Sequence, residues 1–177
     1  MAADQDFPSI PMTANPPIIE TARLILRPLD LWDADAVQAL FPRWEIVKFL
    51  AAAVPWPYPA DGALSYMRDS APAGREHLRA CASETQWHWS IRPKAEPARL
   101  IGMINLRDGD DDNRGFWLAL VWHGQRLMTE ASDAVAEYWF EALGKSVLRV
   151  SKATANIASR RLSESGGMRA ISTAQRN

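Results

Sequence analysis

The chain has 177 residues, 47% of them hydrophobic and 23% charged, with a formal net charge of −1. A chain of this length removes roughly 70% of its unfolded surface from water, and Cys81, the only cysteine, can build neither an internal disulfide framework nor a zinc site on paired thiolates. The near-neutral balance gives no whole-molecule field for nucleic acid or an anionic membrane, no window reaches the roughly 18 apolar residues of a spanning helix, and a lone cysteine fits a reducing, cytoplasmic compartment.

Residues 1–17 carry Asp4, Asp6 and several prolines, without the positive start and apolar run of a secretory signal. They are expected to form a flexible tail ahead of one domain spanning 18–177. Arg23 to Arg27 alternates as a short strand that Pro28 and Asp30 break. Ala34, Val37 and Leu40 recur on one helical face until Pro42, and Trp44 to Leu50 reads as a second short helix. Three prolines make Val54 to Pro59 a stiff aromatic loop. Asp61 then caps a helix through Leu64, Met67 and Arg68, ahead of a polar stretch from Ala73 to Glu84.

Gln86 to Ile91, Arg99 to Leu106 and Gly115 to Leu120 are three successive strand patterns, predicted to pair as an antiparallel meander. Met128, Ala131, Val135, Tyr138 and Ala142 step by three and four, with Glu130, Asp133, Glu137 and Glu141 on the opposite face, which is an amphipathic helix stopped by Gly144. Val147 to Ala153 alternates as another strand. Asn156 caps a helix that ends at Gly166 and Gly167, and Met168 to Thr173 is a last strand pattern. The fold class is therefore α/β (α+β), a mixed, mostly antiparallel central sheet flanked by helices.

The joint from Gly115 to Ala131 runs strand, short loop, helix, with Gly124 at the tip of the loop. A helix N-terminus has unpaired N–H groups and about half a positive charge, so this loop suits phosphate oxygens. A plain tight turn explains the glycine equally well. Asp111 and Asp112 read as a solvated turn, and His88, on a strand face with Gln86 and Ser90, reads as an ordinary surface histidine that titrates in a useful range.

Several blocks together carry a resemblance: Trp122-His-Gly-Gln-Arg-Leu-Met-Thr-Glu-Ala131, then Ala155-Asn-Ile-Ala-Ser-Arg-Arg-Leu162 and Gly167-Met-Arg169, with the opening Glu20-Thr-Ala-Arg-Leu-Ile-Leu-Arg-Pro28 and the Pro55-Trp-Pro-Tyr58 loop. In this order they resemble the GNAT superfamily of acetyl-CoA-dependent N-acetyltransferases, in its branch of ribosomal-protein N-terminal acetyltransferases. The resemblance implies that the strand holding Leu118, Ala119 and Leu120 splays from Val147 to Ala153, so that pantetheine slots between them. It also implies pyrophosphate on the N–H groups of Gly124, Gln125, Arg126, Leu127 and Met128, with His123 flanking the loop.

By the same resemblance, Ser159 is the proton donor to the departing thiolate and Asn156 a hydrogen-bond partner of the pantetheine. Read from the residues alone, Asn156 is an ordinary N-cap and Ser159 an ordinary first-turn hydroxyl. The acceptor implied is a small-molecule or peptide amine, with Trp56, Tyr58 and His88 as substrate-binding candidates; Trp56 and Tyr58 serve equally as plugs at the domain edge. No metal is implied. Three departures from the family pattern stand out. Arg126 replaces a small residue in the phosphate loop, and Asn113 replaces a carboxylate just before the Gly-aromatic-Trp-Leu strand. Eight residues follow Arg169 where the family has one or two further strands, which implies truncated C-terminal strands and an exposed edge that a homodimer would cover. Two rivals remain: a fold that binds CoA without catalysing, and an aromatic-loop module that binds peptides.

Overall fold

The computed structural model describes residues 16–50, 54–69, 82–83 and 85–174. Residues 1–15 of the expected tail, Cys81 and most of the polar stretch before Glu84 lie outside the described residues.

The central sheet has six strands: β1 (Ile19–Glu20), β2 (Leu24–Pro28), β3 (Ala82–Ser83), β4 (Gln86–Pro93), β5 (Gly102–Arg107) and β6 (Arg114–Leu118). Their order is β1-β2-β4-β5-β6, with β3 also pairing β4, and every pairing is antiparallel. The expected meander is therefore present as β4-β5-β6. The helices are α1 (Ala34–Leu40), α2 (Trp44–Val47), α3 (Gly62–Asp69), α4 (Leu127–Glu137) and α5 (Ile157–Ser165).

Period-2 alternation sorts the sheet residues onto two faces. Trp87, Trp89, Ile91, Ile104, Leu106 and Leu118 pack against Leu127, Met128, Ala131 and Val135 of α4, while Met103 and Trp117 pack on the other side with Val37, Phe41 and Met67 of α1–α3. Both faces of β4 are thus covered. Helix α3 starts where Gln38 of α1 reaches it: the Ala63 N–H donates to Gln38 Oε1 (3.0 Å) and Gln38 Nε2 donates to the Pro59 carbonyl (2.9 Å). The long amphipathic pattern becomes α4 followed by a wider π-type turn over Tyr138–Ala142. At α5, Asn156 Oδ1 accepts from the Ser159 N–H at 3.1 Å and Gly166 closes the far end, both as the sequence predicts.

Two expected strands do not form. Residues 147–153 and 168–173 have no strand pairing, although their side-chain alternation is that of a strand. Alternation says nothing about backbone partners, and residues 147–153 are hydrogen-bonded to the β5–β6 turn at one place. The Asn113 N–H donates to the Arg149 carbonyl (2.6 Å), Asn113 Oδ1 accepts from the Arg149 N–H (2.7 Å), and Asp112 Oδ1 accepts from the Ser151 N–H (2.8 Å). Met168 donates its N–H to the Ser163 carbonyl (3.0 Å), continuing the helix end instead of joining the sheet. The second short helix stops at Val47, and β6 stops at Leu118, followed by a 3₁₀ turn over Leu120–Trp122.

Asn113 is 1% exposed. Its Nδ2 donates to the carbonyls of Arg107 (3.1 Å) and Gly109 (2.7 Å). An aspartate here would set a buried carboxylate oxygen against those two carbonyls, a cost of about 2–3 kcal/mol. Asn113→Asp should lower the thermal midpoint by roughly 5–10 °C at pH 7, with part of the loss recovered in acid as the carboxyl takes a proton and can donate again; differential scanning calorimetry at two pH values checks both.

Candidate functional site

The site is built on the free edge of β6 and the start of α4. Hydrogen-bonded and non-hydrogen-bonded pairs alternate along an antiparallel ladder. Arg107 donates to the carbonyl of Asn113 and Ala119 to that of Ile101. The intervening register, with Ile104 opposite Phe116 and Gly102 opposite Leu118, therefore turns the backbone N–H and C=O of Phe116 and Leu118 away from β5, toward the free edge. Beyond the clasp at Asn113, no backbone hydrogen bond joins Phe116–Leu118 to residues 147–153 among the described residues. The two segments are fastened at one end and unpaired at the other.

The loop after β6 is held from several directions. His123 Nε2 donates to the Leu118 carbonyl (2.8 Å), Gln125 Nε2 donates to the Val121 carbonyl (3.3 Å), and Arg23 Nη1 donates to the Gln125 carbonyl (3.1 Å). Gly124 has φ +75° with open space where a Cβ would stand. Arg126, the N-cap of α4, lies in the left-handed region (φ 59°, ψ 16°) and makes no side-chain cap. It adopts the conformation that a small residue would take more easily, and its guanidinium remains available to an anion. With no side chain capping the first turn, its N–H groups stay oriented toward the loop.

Glu130 anchors this assembly. Sequence periodicity puts it on the solvent face, but Oε1 accepts from Thr21 Oγ1 (2.5 Å) and the Arg23 N–H (2.7 Å), and Oε2 accepts from Arg23 Nε (2.7 Å). Partial burial pushes its carboxyl up, but those hydrogen bonds and the Arg23 charge outweigh burial and hold it below the ordinary glutamate value. Arg23 thus ties α4, the entrance to β2 and the loop carbonyl together. Its appearance in the opening block and the position of Glu130 in a first helical turn were the available signals.

The aromatic candidates separate. Tyr58 packs edge-on against Phe41 (5.2 Å between centroids), which in turn meets Trp117 of β6 at 5.2 Å, and the Tyr58 ring lies so close to Gly62 that a Cβ there would come within 2.7 Å of it. Tyr58 thus couples the proline loop to β6 through Phe41. Trp56 remains half exposed and stacks on Trp44 at 5.3 Å. Asn156 and Ser159 are both half-buried at the start of α5, with the Asn156 oxygen committed to the Ser159 N–H.

His88 is not a surface group. It is 1% exposed because α3 covers its face, and its ring lies 3.3 Å from Gln86 Oε1 through Nε2 and 3.4 Å from Tyr66 Oη through Nδ1. The arrangement that satisfies both has Nε2–H donating to Gln86 and Nδ1 accepting from Tyr66. Burial, reinforced by the Arg107 charge, pushes the imidazole down to about 4, so it is neutral at pH 7 and stands behind Tyr66. Asp112 is tied to Ser151 as described, and Asn113 is held as a donor, so neither is a free carboxylate at the strand entrance.

With this geometry in view, the comparisons are direct. The model for the acetyltransferase (GNAT) domain matches residues 23–169, and the chain belongs to that family. No curated protein matches the sequence. Solved structures share the fold at low identity. A GNAT-family acetyltransferase from Bacillus anthracis is 17% identical, with TM-score 0.67 over 86% of this chain and 84% of that one. An acetyltransferase from Agrobacterium tumefaciens is 20% identical, with TM-score 0.65 over 94% and 88%. RimL, a ribosomal L7/L12 α-N-protein acetyltransferase solved in complex with coenzyme A, is 14% identical, with TM-score 0.61 over 84% and 82%.

The lowered His88 pKa makes stability depend on pH. The unfolded imidazole, near 6.5, takes up a proton that the folded one refuses until about pH 4. Folding stability is therefore fully present above pH 6.5 and falls as pH drops toward 4, by up to roughly 3 kcal/mol. Urea titrations over that range should show this acid limb, and His88→Gln should flatten it.

Proposed function

We propose that this chain is an acetyl-CoA-dependent N-acetyltransferase that moves an acetyl group to a primary amine, either a protein N-terminus or a small-molecule amine, by direct attack in a ternary complex. The observation that carries this reading is the pairing of a free β6 edge with an uncapped, braced α4 N-terminus. The N–H groups from Gly124 to Met128 would receive the pyrophosphate in the favourable field of the helix. The outward-turned backbone of Phe116 and the Leu118 N–H would bond the pantetheine amides in strand geometry, with Ala119 and Leu120 shaping the turn beside them. Bound there, acetyl-CoA supplies the thioester.

The chain's own part is mainly positioning, which accounts for much of the rate when two reactants are held together. Asn156 would contact the pantetheine through its amide, and the Ser159 hydroxyl would pass a proton to the leaving thiolate. Trp56 would border the acceptor entrance, and His88 would act through Tyr66, whose hydroxyl it orients. A second reading, a fold that binds CoA without catalysing, is favoured by Asn113, whose amide donors are spent on two carbonyls where family members carry a carboxylate.

Thermal unfolding with coenzyme A, followed by thiol release from acetyl-CoA over a panel of peptide and small-molecule amines, separates these readings. Saturating coenzyme A at 100 times its Kd should stabilise the fold by about 2.7 kcal/mol. Gly124→Val, which forces a β-branched residue to positive φ, should remove most of that shift while costing the unliganded fold only about 1–2 kcal/mol. A shift without thiol release supports the non-catalytic reading, and no shift in the unaltered chain overturns both.

A further inference from the structure

Lys152 lies on the unpaired part of the 147–153 segment, and its Nζ stands 4.8 Å from the centroid of the Phe116 ring. Phe116 is the β6 residue whose backbone turns toward the free edge. A pantetheine arm laid along the edge from the α4 N-terminus passes the turn over Leu120–Trp122 and runs back beside Leu118 toward Phe116. The amine therefore borders the end of the slot.

Its surroundings are unusual for a lysine. The Arg114 guanidinium lies 6.0 Å from the same ring and is buried; Nη1 reaches the Ser132 carbonyl at 3.4 Å and Nη2 the Met168 sulfur at 3.6 Å. Arg114 Nε has no partner. Two cations thus share one aromatic ring. Of the nearby acids, Asp112 accepts from the Ser151 N–H and Asp133 acts on Arg114. Burial first, then the Arg114 charge, pushes the Lys152 ammonium down to about 8 against the opposing pull of Asp112, which leaves a substantial neutral fraction at neutral pH.

We propose that Lys152 is itself an acetyl acceptor, modified on Nζ by acetyl-CoA held at the β6 edge of the same chain. This rests on the cofactor reading above. The neutral amine's lone pair attacks the thioester carbonyl carbon, a C–N bond forms, and the C–S bond breaks with its electron pair going to sulfur. The proton lost from nitrogen goes to the thiolate, giving N-acetyl-lysine and free coenzyme A. The product removes one of two crowded cations and brings a carbonyl oxygen beside a guanidinium whose Nε lacks an acceptor. The other lysines are Lys48, Lys94 and Lys145; Lys94 pairs with Glu20 and Lys145 with Asp108.

Incubating the full chain with acetyl-CoA, then measuring intact mass and mapping peptides, tests this. One acetyl group per chain is expected, on Lys152, at a rate independent of protein concentration and at least tenfold above that of Lys48, Lys94 or Lys145. Lys152→Arg, which keeps the cation on Phe116, should lose that acetyl group and keep its thermal shift with coenzyme A. Gly124→Val should lose it through weakened binding. If coenzyme A stabilises the unaltered chain but Lys152 gains acetyl no faster than the other lysines, the proposal fails and the cofactor reading stands. If coenzyme A has no effect on stability, both fail.

Discussion

The backbone and side chain of Asn113 together make five hydrogen bonds in near-complete burial, and the shape of the site depends on them. They fasten the β5–β6 turn to Arg149 and so decide where residues 147–153 touch the sheet. Backbone groups without partners are costly when dry, so a segment fastened at one point either zips along the edge or leaves it. Here it leaves: the Leu118 carbonyl is taken by His123, and the segment pairs with neither Phe116 nor Leu118. A split between neighbouring segments is thus produced by one amide side chain, and the same commitment excludes that residue as a proton acceptor.

At the other end of the split, the loop between β6 and α4 relies on partners far away in sequence. Glu130 and Arg23 are 107 residues apart, yet their contact holds the α4 start against the entrance of β2. Because Arg23 also donates to the Gln125 carbonyl, the loop is fixed before any ligand arrives. Preorganisation of this kind lowers the ordering cost of binding and offsets the strain of a left-handed Arg126. The exposed Arg23–Glu130 charge pair contributes little by itself; its value here is geometric.

What could be read from the sequence was whatever depends on local periodicity and capping. The three-and-four stepping of Met128, Ala131 and Val135 located α4, Asn156 and Gly166 bounded α5, and the strand patterns opening at Gln86, Arg99 and Gly115 marked the meander. The misreadings share one cause, which is that a partner distant in sequence decides the outcome. Residues 147–153 alternate like a strand, but a strand also needs a neighbour with free backbone, and Asn113 supplies only one attachment. His88 looked solvent-facing because its alternation with Trp87 and Trp89 shows two faces without showing that α3 covers His88. The site blocks were legible as a resemblance, whereas Arg23, Glu130, Arg114 and Lys152 take their roles from contacts that no spacing rule reports.

An open strand edge is a hazard as well as an opportunity, because any extended peptide can add to it. The β6 border is guarded on one side by two neighbouring positive groups and a tethered, irregular segment. A stray strand would have to displace that segment and desolvate Lys152 beside Arg114. The crowding of charge around Phe116 therefore makes this border a poor template for another strand.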